Sequence, residues 1–385
     1  MVCDFDRYID RYSSDSTKWL RHGEGVLPLW VADMDFASPE PVIRALHERV
    51  EHGLFGYCTE PSELRPVILE RLQRLYGWEV SPDAITYTPG VAAGFNLACR
   101  AVTSPGDGML VQTPLYYPIL WIPDRHNLAL NDMELTRRPD GQYEIDFDAF
   151  EQAITERTRV FVLCNPHNPV GRVFRCDELE RMAEICLRHN VVICSDEVHC
   201  DLLFRGSRHV PTASLAPEIA ERTITLRAPS KTFNLPGLRC GLAIIPNEEL
   251  RQAFEALRAG LVPGPNVMGY TAALAAYRDG QPWLDQLLPY LEANRDFLLQ
   301  YVNTHLPGIN IGKPEATYLA WLDCRQAGIP GNPHEFFLEK AKVALNDGPL
   351  FGRGGEGFVR LNFGCPRSTL EEALKRMKNA LMALR

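Results

Sequence analysis

One stretch of the chain decides the fold, and it reads Thr223-Ile224-Thr225-Leu226-Arg227-Ala228-Pro229-Ser230-Lys231-Thr232-Phe233-Asn234-Leu235-Pro236-Gly237-Leu238-Arg239. Thr223–Leu226 has the pattern of a strand, and Lys231 follows shortly after it among small and turn-forming residues. A lysine held at the end of a buried strand can lose its charge and react with a carbonyl group as a neutral amine. Most loop lysines are simply solvated, so the rest of the chain has to decide between these two interpretations.

The strand before Lys231 is one of a series in the middle of the chain. Longer amphipathic stretches such as Cys176–His189 separate most of these strands. Apolar strands that alternate with helices predict an α/β fold with a mostly parallel sheet covered by helices on both faces. An antiparallel edge strand stays open as a variant. The predicted strands are Ala84–Tyr87, Met109–Gln112, Val160–Leu163, Val191–Cys194, Thr223–Leu226 and Gly241–Ile245.

The two chain ends differ from this pattern. We predict a large α/β domain at 46–279 and a smaller α+β domain that combines 1–45 with 280–385. Ser368 and Glu371 have the spacing of a capping box for the last helix. The predicted C-terminal elements are a helix, two strands and a final helix, at Trp283–Leu306, Thr317–Leu322, Phe358–Phe363 and Ser368–Leu384.

Composition narrows the class of protein. The 385 residues carry a net charge of −9, which disfavours nucleic-acid binding, since that needs a concentrated positive surface. No apolar run approaches the length of roughly 18 residues that spans a membrane. The N-terminal residues lack a signal-peptide pattern, and the eleven cysteines lack the spacing of a disulfide framework. These features predict a cytoplasmic protein with reduced thiols.

Candidate site residues follow the predicted strands, each set at the point where a strand ends. Because the carboxyl ends of parallel strands meet at one edge of a sheet, we expect these residues to lie close together. In strand order they are Gly90, Val91 and Ala92; Tyr116 and Tyr117; Asn168; Asp196 and His199; and Ser230, Lys231 and Arg239.

This set of side chains is the one that pyridoxal 5'-phosphate (PLP) requires. Lys231 would hold the aldehyde, Asp196 would keep the pyridine nitrogen protonated, and Asn168 would donate to the ring hydroxylate. Tyr116 offers an aromatic face for stacking on the ring. A helix start and polar side chains would bind the phosphate through Gly90, Val91, Ala92, Ser230 and Arg239.

Arg360 completes the predicted site, because its guanidinium can bind an amino acid's carboxylate through two parallel hydrogen bonds. Each residue alone has a structural interpretation: Asn168 fits a turn, and Asp196 fits a helix cap. Several such groups at successive strand ends are hard to explain as structure. We predict no metal site, although Cys194 and His199 lie close to Asp196 in sequence, because no second cysteine pair has the required spacing.

The motifs together resemble a known family over essentially the whole chain. The sequence is similar to the fold-type I PLP-dependent enzymes of the aminotransferase class I/II superfamily. Within it the chain looks most like the cystathionine β-lyase (C–S lyase) branch, which includes the maltose-regulon modulator. The closer match lies in Pro28–Phe36, Gly53–Tyr57, Asn165–Arg172, Ser195–Leu202, Ser230–Gly237, Asn346–Gly352 and Arg360–Ser368.

The resemblance implies several expectations. His199 matches the lyase branch, whereas Arg239 matches the phosphate arginine of aminotransferases. Tyr57 would reach the phosphate in a neighbouring subunit, which implies a homodimer. The substrate pocket would include Ala32 and Tyr117.

The resemblance also implies a reaction. The chain would cleave cystathionine or another L-cysteine conjugate to a thiol, pyruvate and ammonia. An aminotransferase acting on an L-amino acid is the alternative, because the named residues serve both reactions equally. A regulatory binding protein that retains PLP is a further alternative, which an exposed apolar patch outside the pocket would favour.

Overall fold

A computed structural model of the protein describes residues 3–384. The α-helices in this range are α1 Thr17–Leu20, α2 Glu40–His52, α3 Leu64–Tyr76, α4 Val91–Val102, α5 Tyr117–Leu120, α6 Ile122–His126, α7 Phe147–Gln152, α8 Cys176–Arg188, α9 Pro217–Ala220, α10 Pro229–Thr232, α11 Glu248–Arg258, α12 Val267–Asp279, α13 Gln281–His305, α14 Pro333–Phe336 and α15 Arg367–Met382. Short 3-10 turns lie at Pro82–Ala84, Thr212–Ser214, Pro236–Leu238 and Gly348–Phe351, and a π-helical turn lies at Phe337–Ala341.

The strands complete the list of elements. They are β1 Leu27–Pro28, β2 Ile85–Thr88, β3 Gly108–Thr113, β4 Ala129–Glu134, β5 Thr136–Arg137, β6 Tyr143–Glu144, β7 Thr158–Cys164, β8 Val192–Asp196, β9 Thr223–Arg227, β10 Gly241–Ile244, β11 Asn310–Ile311, β12 Leu319–Asp323, β13 Val343–Ala344, β14 Asn346–Asp347 and β15 Phe358–Asn362.

A seven-stranded sheet forms the centre of the molecule, in the order β2-β10-β9-β8-β7-β3-β4. The neighbours from β9 to β4 are all parallel, and β10 runs antiparallel to both β9 and β2. The antiparallel strand therefore lies one position inside the edge. Thr88 at the end of β2 pairs with Gly241 at the start of β10, so both approach the edge where β7, β8 and β9 end. The predicted α/β fold is confirmed.

Both faces of this sheet are apolar and covered by helices, as expected for parallel strands. On one face Val160 and Val162 of β7 pack in a core with Phe95 of α4. On the other face Phe161 packs with Met182 of α8. Alternate residues of one strand thus pack into two cores on opposite faces of the sheet. A site can then form beyond the ends of the strands.

A second sheet is antiparallel and has the order β11-β12-β15-β14. Near it, β1 from the N-terminal part pairs in parallel with β13 from the C-terminal part, through Leu27 with Val343 and Pro28 with Ala344. The two chain ends therefore meet. The limits of the two domains stay a prediction.

Two sequence expectations need adjustment. β4 was not anticipated, because this edge strand is largely exposed and lacks an apolar run. The capping box at Ser368 is wrong: α15 begins at Arg367, its N-cap residue is Pro366, and no side chain caps it. Within residues 3–384, no helix is both long and apolar enough to cross a membrane.

Candidate active site

A cavity of about 500 Å³ lies at the edge of the central sheet where the parallel strands end. It brings together eleven of the predicted residues from six separate parts of the chain. They are Ala32, Gly90, Val91, Ala92, Tyr116, Asn168, Asp196, His199, Ser230, Lys231 and Arg239. Tyr57, Tyr117 and Arg360 are the predicted residues outside this lining.

Lys231 lies in α10, a single helical turn that follows β9. Its Nζ donates a hydrogen bond of 2.6 Å to the carbonyl of Ala32, which also accepts one of 2.9 Å from the Tyr318 hydroxyl. Burial lowers the pKa of Lys231 to about 8, and the nearby Arg360 charge acts in the same direction. A neutral amine is therefore accessible near physiological pH, which nucleophilic and base roles require.

The turn that carries Lys231 is tied to the N-terminal segment by Asn234. The Asn234 side chain accepts from the Met34 amide at 2.9 Å and donates to the carbonyls of Met34 and Phe36, each at 2.9 Å. Asn234 has a φ of 57°, a left-handed conformation that asparagine tolerates better than most residues. The segment with Ala32 and the turn with Lys231 therefore form one unit.

Asp196 is the last residue of β8 and is buried. Its Oδ1 accepts a hydrogen bond of 3.1 Å from the Val198 amide, and it forms no ion pair with any residue in the range 3–384. Burial raises the pKa of Asp196 to about 7, against the opposing effects of that amide and of Lys231. A buried carboxyl group of this kind suits a partner that shares a proton with it, such as a pyridine nitrogen.

His199 and Tyr116 add ring systems to the cavity wall. His199 is buried, its Nδ1 has no hydrogen-bond partner among the described residues, and burial lowers its pKa. It contacts the Tyr318 ring edge-on, with 5.9 Å between the ring centroids. Burial raises the pKa of Tyr116 to about 12, so its hydroxyl stays protonated. His199 therefore remains neutral and its free ring nitrogen is available to a ligand.

The N-terminus of α4 lies at the cavity. Helix N-termini present free amides and a positive dipole end, and no side chain caps α4. Gly90 precedes it with a φ of 132°, a conformation that residues with a Cβ rarely adopt. Ser230 and the exposed residue Arg239 also line the cavity. These groups suit a phosphate.

Arg360 on β15 lies beside the cavity and is buried. It donates at 2.9 Å to Asn168 Oδ1, at 2.9 Å to the Trp30 carbonyl and at 2.5 Å to Asn346 Oδ1. All three acceptors are neutral, and no carboxylate within residues 3–384 pairs with it. Burial lowers the pKa of Arg360 to about 10, which keeps it charged near pH 7. A buried cation without an anion suits the carboxylate of a ligand.

Two predicted residues lie elsewhere. Tyr57 is fully exposed and lines a neighbouring groove, which meets the cavity at Pro89 and Arg239. Tyr117 packs between rings, 5.4 Å from Tyr116 and 5.7 Å from Phe351. Within one chain, neither residue reaches the cavity wall.

Sequence reasoning missed three groups that hold the predicted ones. The Tyr318 hydroxyl donates to the Ala32 carbonyl, and the Trp30 carbonyl accepts from Arg360. The sequence gives no signal for either contact. Asn346 accepts from Arg360, because the two residues pair across β14 and β15. A polar residue just after the apolar run Val343–Leu345 was the available signal.

The residues present fit PLP. Four features lie in or beside one cavity. They are the Lys231 amine with its lowered pKa, the unpaired carboxyl group of Asp196, the uncapped N-terminus of α4 and the unpaired guanidinium of Arg360. Lys231, Asp196, Asn168 and the start of α4 would hold the cofactor, and Arg360 would hold a substrate carboxylate. Fold and site together define a PLP-dependent enzyme of fold type I.

Comparison with known families agrees with this class. The Aminotransferase class I and II family matches residues 24–377, and the chain belongs to that family. The family depends on PLP, so the predicted cofactor is confirmed. The resemblance to the cystathionine β-lyase branch is also confirmed.

Individual relatives span the whole chain. Cystathionine beta-lyase PatB of Bacillus subtilis (strain 168) is 41% identical over 98% of this chain and 100% of its own length. Protein MalY of Escherichia coli (strain K12) is 34% identical over 99% of this chain and 100% of its own. The crystal structure of cystalysin from Treponema denticola, which contains PLP, is 32% identical and aligns over 100% of both chains with a TM-score of 0.96.

Proposed function

We propose that the protein is a PLP-dependent C–S β-lyase that acts on cystathionine or another L-cysteine conjugate. The reaction breaks the Cβ–S bond, consumes one water molecule and yields a thiol, pyruvate and ammonia. The observation that carries this proposal is the similarity to cystathionine beta-lyase PatB over 98% of this chain and 100% of that protein. The site geometry supports the shared part of the chemistry, the removal of the α-proton.

Bound PLP supplies an electron sink for the charge that develops at the substrate Cα. Arg360 would bind the substrate's α-carboxylate and fix the direction of the Cα–H bond. The Lys231 amine, whose pKa burial lowers to about 8, would take the α-proton as a general base. Asp196 would keep a proton at the pyridine nitrogen. Asp196 and Arg360 are buried, which strengthens the charge interactions that each of them would make.

Product analysis of the purified holoprotein tests the proposal. One arm contains cystathionine and no keto acid, and a second contains an L-amino acid with 2-oxoglutarate. We expect pyruvate in the first arm and little glutamate in the second. Glutamate without pyruvate would favour the aminotransferase alternative, and PLP binding without either product would favour the regulatory alternative. A Lys231→Ala variant controls for contaminating activity.

We infer that the protein is a homodimer in which Tyr57 completes the partner subunit's phosphate site. The support is a run of exposed apolar side chains near the cavity: Leu54 is 67% exposed and Phe55 56% exposed, beside the exposed Tyr57. Isolated subunits rarely leave such residues in water without a partner. Sedimentation of the holoprotein at twice 43.4 kDa is expected, and a stable active monomer would contradict the inference.

We also propose the domain division 46–279 against 1–45 with 280–385, supported by the pairing of β1 with β13. Hydrogen exchange should show two cooperative units with these limits, and a single unit would refute them.

We propose a cytoplasmic location, supported by eleven cysteines that all remain free. Fractionation of cells that express the protein tests the location.

A further inference from the structure

A side-chain contact joins the two segments that carry Asp196 and Lys231. The Thr232 hydroxyl, next to Lys231, donates a hydrogen bond of 3.0 Å to Asp201 Oδ2, and Asp201 belongs to the turns that follow Asp196. Thr232 is fully buried, and the Asp201 side chain is 8% exposed. Neither residue lines the cofactor cavity. The contact therefore lies behind the cavity wall.

The Asp201 carboxylate has partners on its other oxygen as well. Arg71 of α3 forms an ion pair with Oδ1 at 3.0 Å, and the Tyr76 hydroxyl donates to Oδ1 at 3.4 Å. Arg71 is itself fixed by Gln281, which accepts from it at 2.9 Å. Although burial raises the pKa of Asp201, Arg71 and Arg227 more than offset this and keep the carboxylate ionised. An ionised acceptor binds a hydroxyl about twice as strongly as a neutral one.

The turn that carries Lys231 depends on such contacts. α10 has four residues, and one helical turn is unstable without tertiary packing. The segment after Asp196 is closed by consecutive turns: the Cys200 amide donates to the Glu197 carbonyl, and the Leu202 amide to the His199 carbonyl, each at 3.0 Å. The hydrogen bond from Thr232 to Asp201 therefore attaches the short helical turn that carries Lys231 to the turns that follow Asp196.

We propose that Asp201 and Thr232 are positioning residues that set the placement of Lys231 relative to Asp196. Their hydrogen bond joins the segment of Lys231, which would bind the aldehyde end of PLP, to the segment of Asp196, which would bind the pyridine end. This inference rests on the proposed roles of Lys231 and Asp196 and is independent of the reaction that follows. Loss of the contact changes the surroundings of the Lys231 amine without removing any group from the cavity.

The experiment compares two substitutions at one position. Thr232→Val removes the hydroxyl at nearly constant shape, and Thr232→Ser keeps the hydroxyl and serves as the matched control. In the holoproteins, the pH midpoint of the visible PLP absorption band should shift by about half a unit or more in the valine variant. The PLP dissociation constant, titrated with the cofactor-free protein, should rise about tenfold. The serine variant should resemble the wild type in both measurements.

Asp201→Asn provides a second variant, which keeps an acceptor but loses the charge, and it should change both quantities in the same direction. The free energy of unfolding of each variant is measured alongside. A valine variant with lower stability but an unchanged midpoint and dissociation constant would overturn the proposal, because the contact would then be merely structural. Equal behaviour of serine and valine would overturn it too. A visible band that persists in Lys231→Ala would instead refute the proposed role of Lys231.

Discussion

Asp196 and Glu197 are neighbours in sequence and both are buried, yet their surroundings differ completely. Glu197 Oε2 accepts from Arg227 at 2.9 Å and lies 2.9 Å from His209 Nε2; Glu197 Oε1 accepts from the Thr212 amide at 3.1 Å. Among the described residues, the carboxyl group of Asp196 accepts a single hydrogen bond, from the Val198 amide. The pKa of Asp196 is raised to about 7 by burial, whereas for Glu197 the charges of His209 and Arg227 outweigh burial and lower the pKa to about 2.

The difference separates groups that serve the fold from groups that serve a ligand. A buried charge that the protein pairs in full contributes to the folded state, and removal of its partner is costly. A buried charge without a counter-charge is unfavourable by itself, and it persists where a ligand supplies the counter-charge. Asp196, Lys231 and Arg360 belong to the second class. Substitutions in the two classes should therefore affect different measurements.

Lys231→Ala should give the largest effect of any substitution in the pocket. We expect kcat to fall by about 10³-fold or more, since both the cofactor anchor and the general base are removed. The free energy of unfolding of the cofactor-free protein should not fall, because burial of this amine is unfavourable. Steady-state kinetics and the loss of the visible PLP band measure the first effect, and urea unfolding measures the second. Normal turnover in this variant would remove Lys231 from the site.

Arg360→Met should weaken the binding of the substrate carboxylate by about 2–5 kcal/mol, because the ion pair is desolvated. The visible PLP band should remain, since the guanidinium is assigned to the substrate and not to the cofactor. KM for cystathionine and for an analogue without the carboxylate distinguishes the two roles. The discrimination between these compounds should collapse in the variant. An unchanged KM ratio would place the carboxylate elsewhere.

Much of the fold could be predicted from the sequence, because parallel strands that are apolar on both faces leave a strong local signal. The predicted strand Val160–Leu163 lies within the observed β7, and Cys176–His189 differs from α8 by one residue at its end. β4 gave no such signal, since an exposed edge strand needs no apolar residues. The Ser368 cap failed because α15 begins at Arg367, which places Ser368 inside its first turn.

The candidate site could be predicted in part for a related reason. Asn168 lies shortly after β7 and Asp196 is the last residue of β8, so strand position alone indicated their neighbourhood. Residues that act through long-range contacts carry no local mark. Tyr318 reaches Ala32 across 286 positions, and Thr232 reaches Asp201 across 31. The role proposed for Tyr57 involves a second subunit, which a single chain does not contain.

Glu197→Gln tests the paired side of the comparison, and Asp196→Asn is its matched control. The folded pKa of Glu197 lies near 2, below its ordinary value of 4.5, so its ionised form stabilises the fold at every pH above about 5. That stabilisation is lost as pH falls from about 5 toward 2. Glu197→Gln should therefore lower the free energy of unfolding by about 3 kcal/mol at pH 7 and flatten its decline below pH 5. Urea unfolding of the cofactor-free protein at several pH values measures both.

Asp196→Asn should act in the opposite direction in the same measurement. Its folded pKa lies above the ordinary value of 3.8, so ionisation near neutral pH works against the fold, and the amide removes that penalty. The cofactor-free asparagine variant should be at least as stable as the wild type at pH 7, while PLP binding weakens. Equal losses of stability in both variants would mean that both carboxylates stabilise the folded state to the same extent. In that case, the absence of a counter-charge at Asp196 would no longer indicate a ligand.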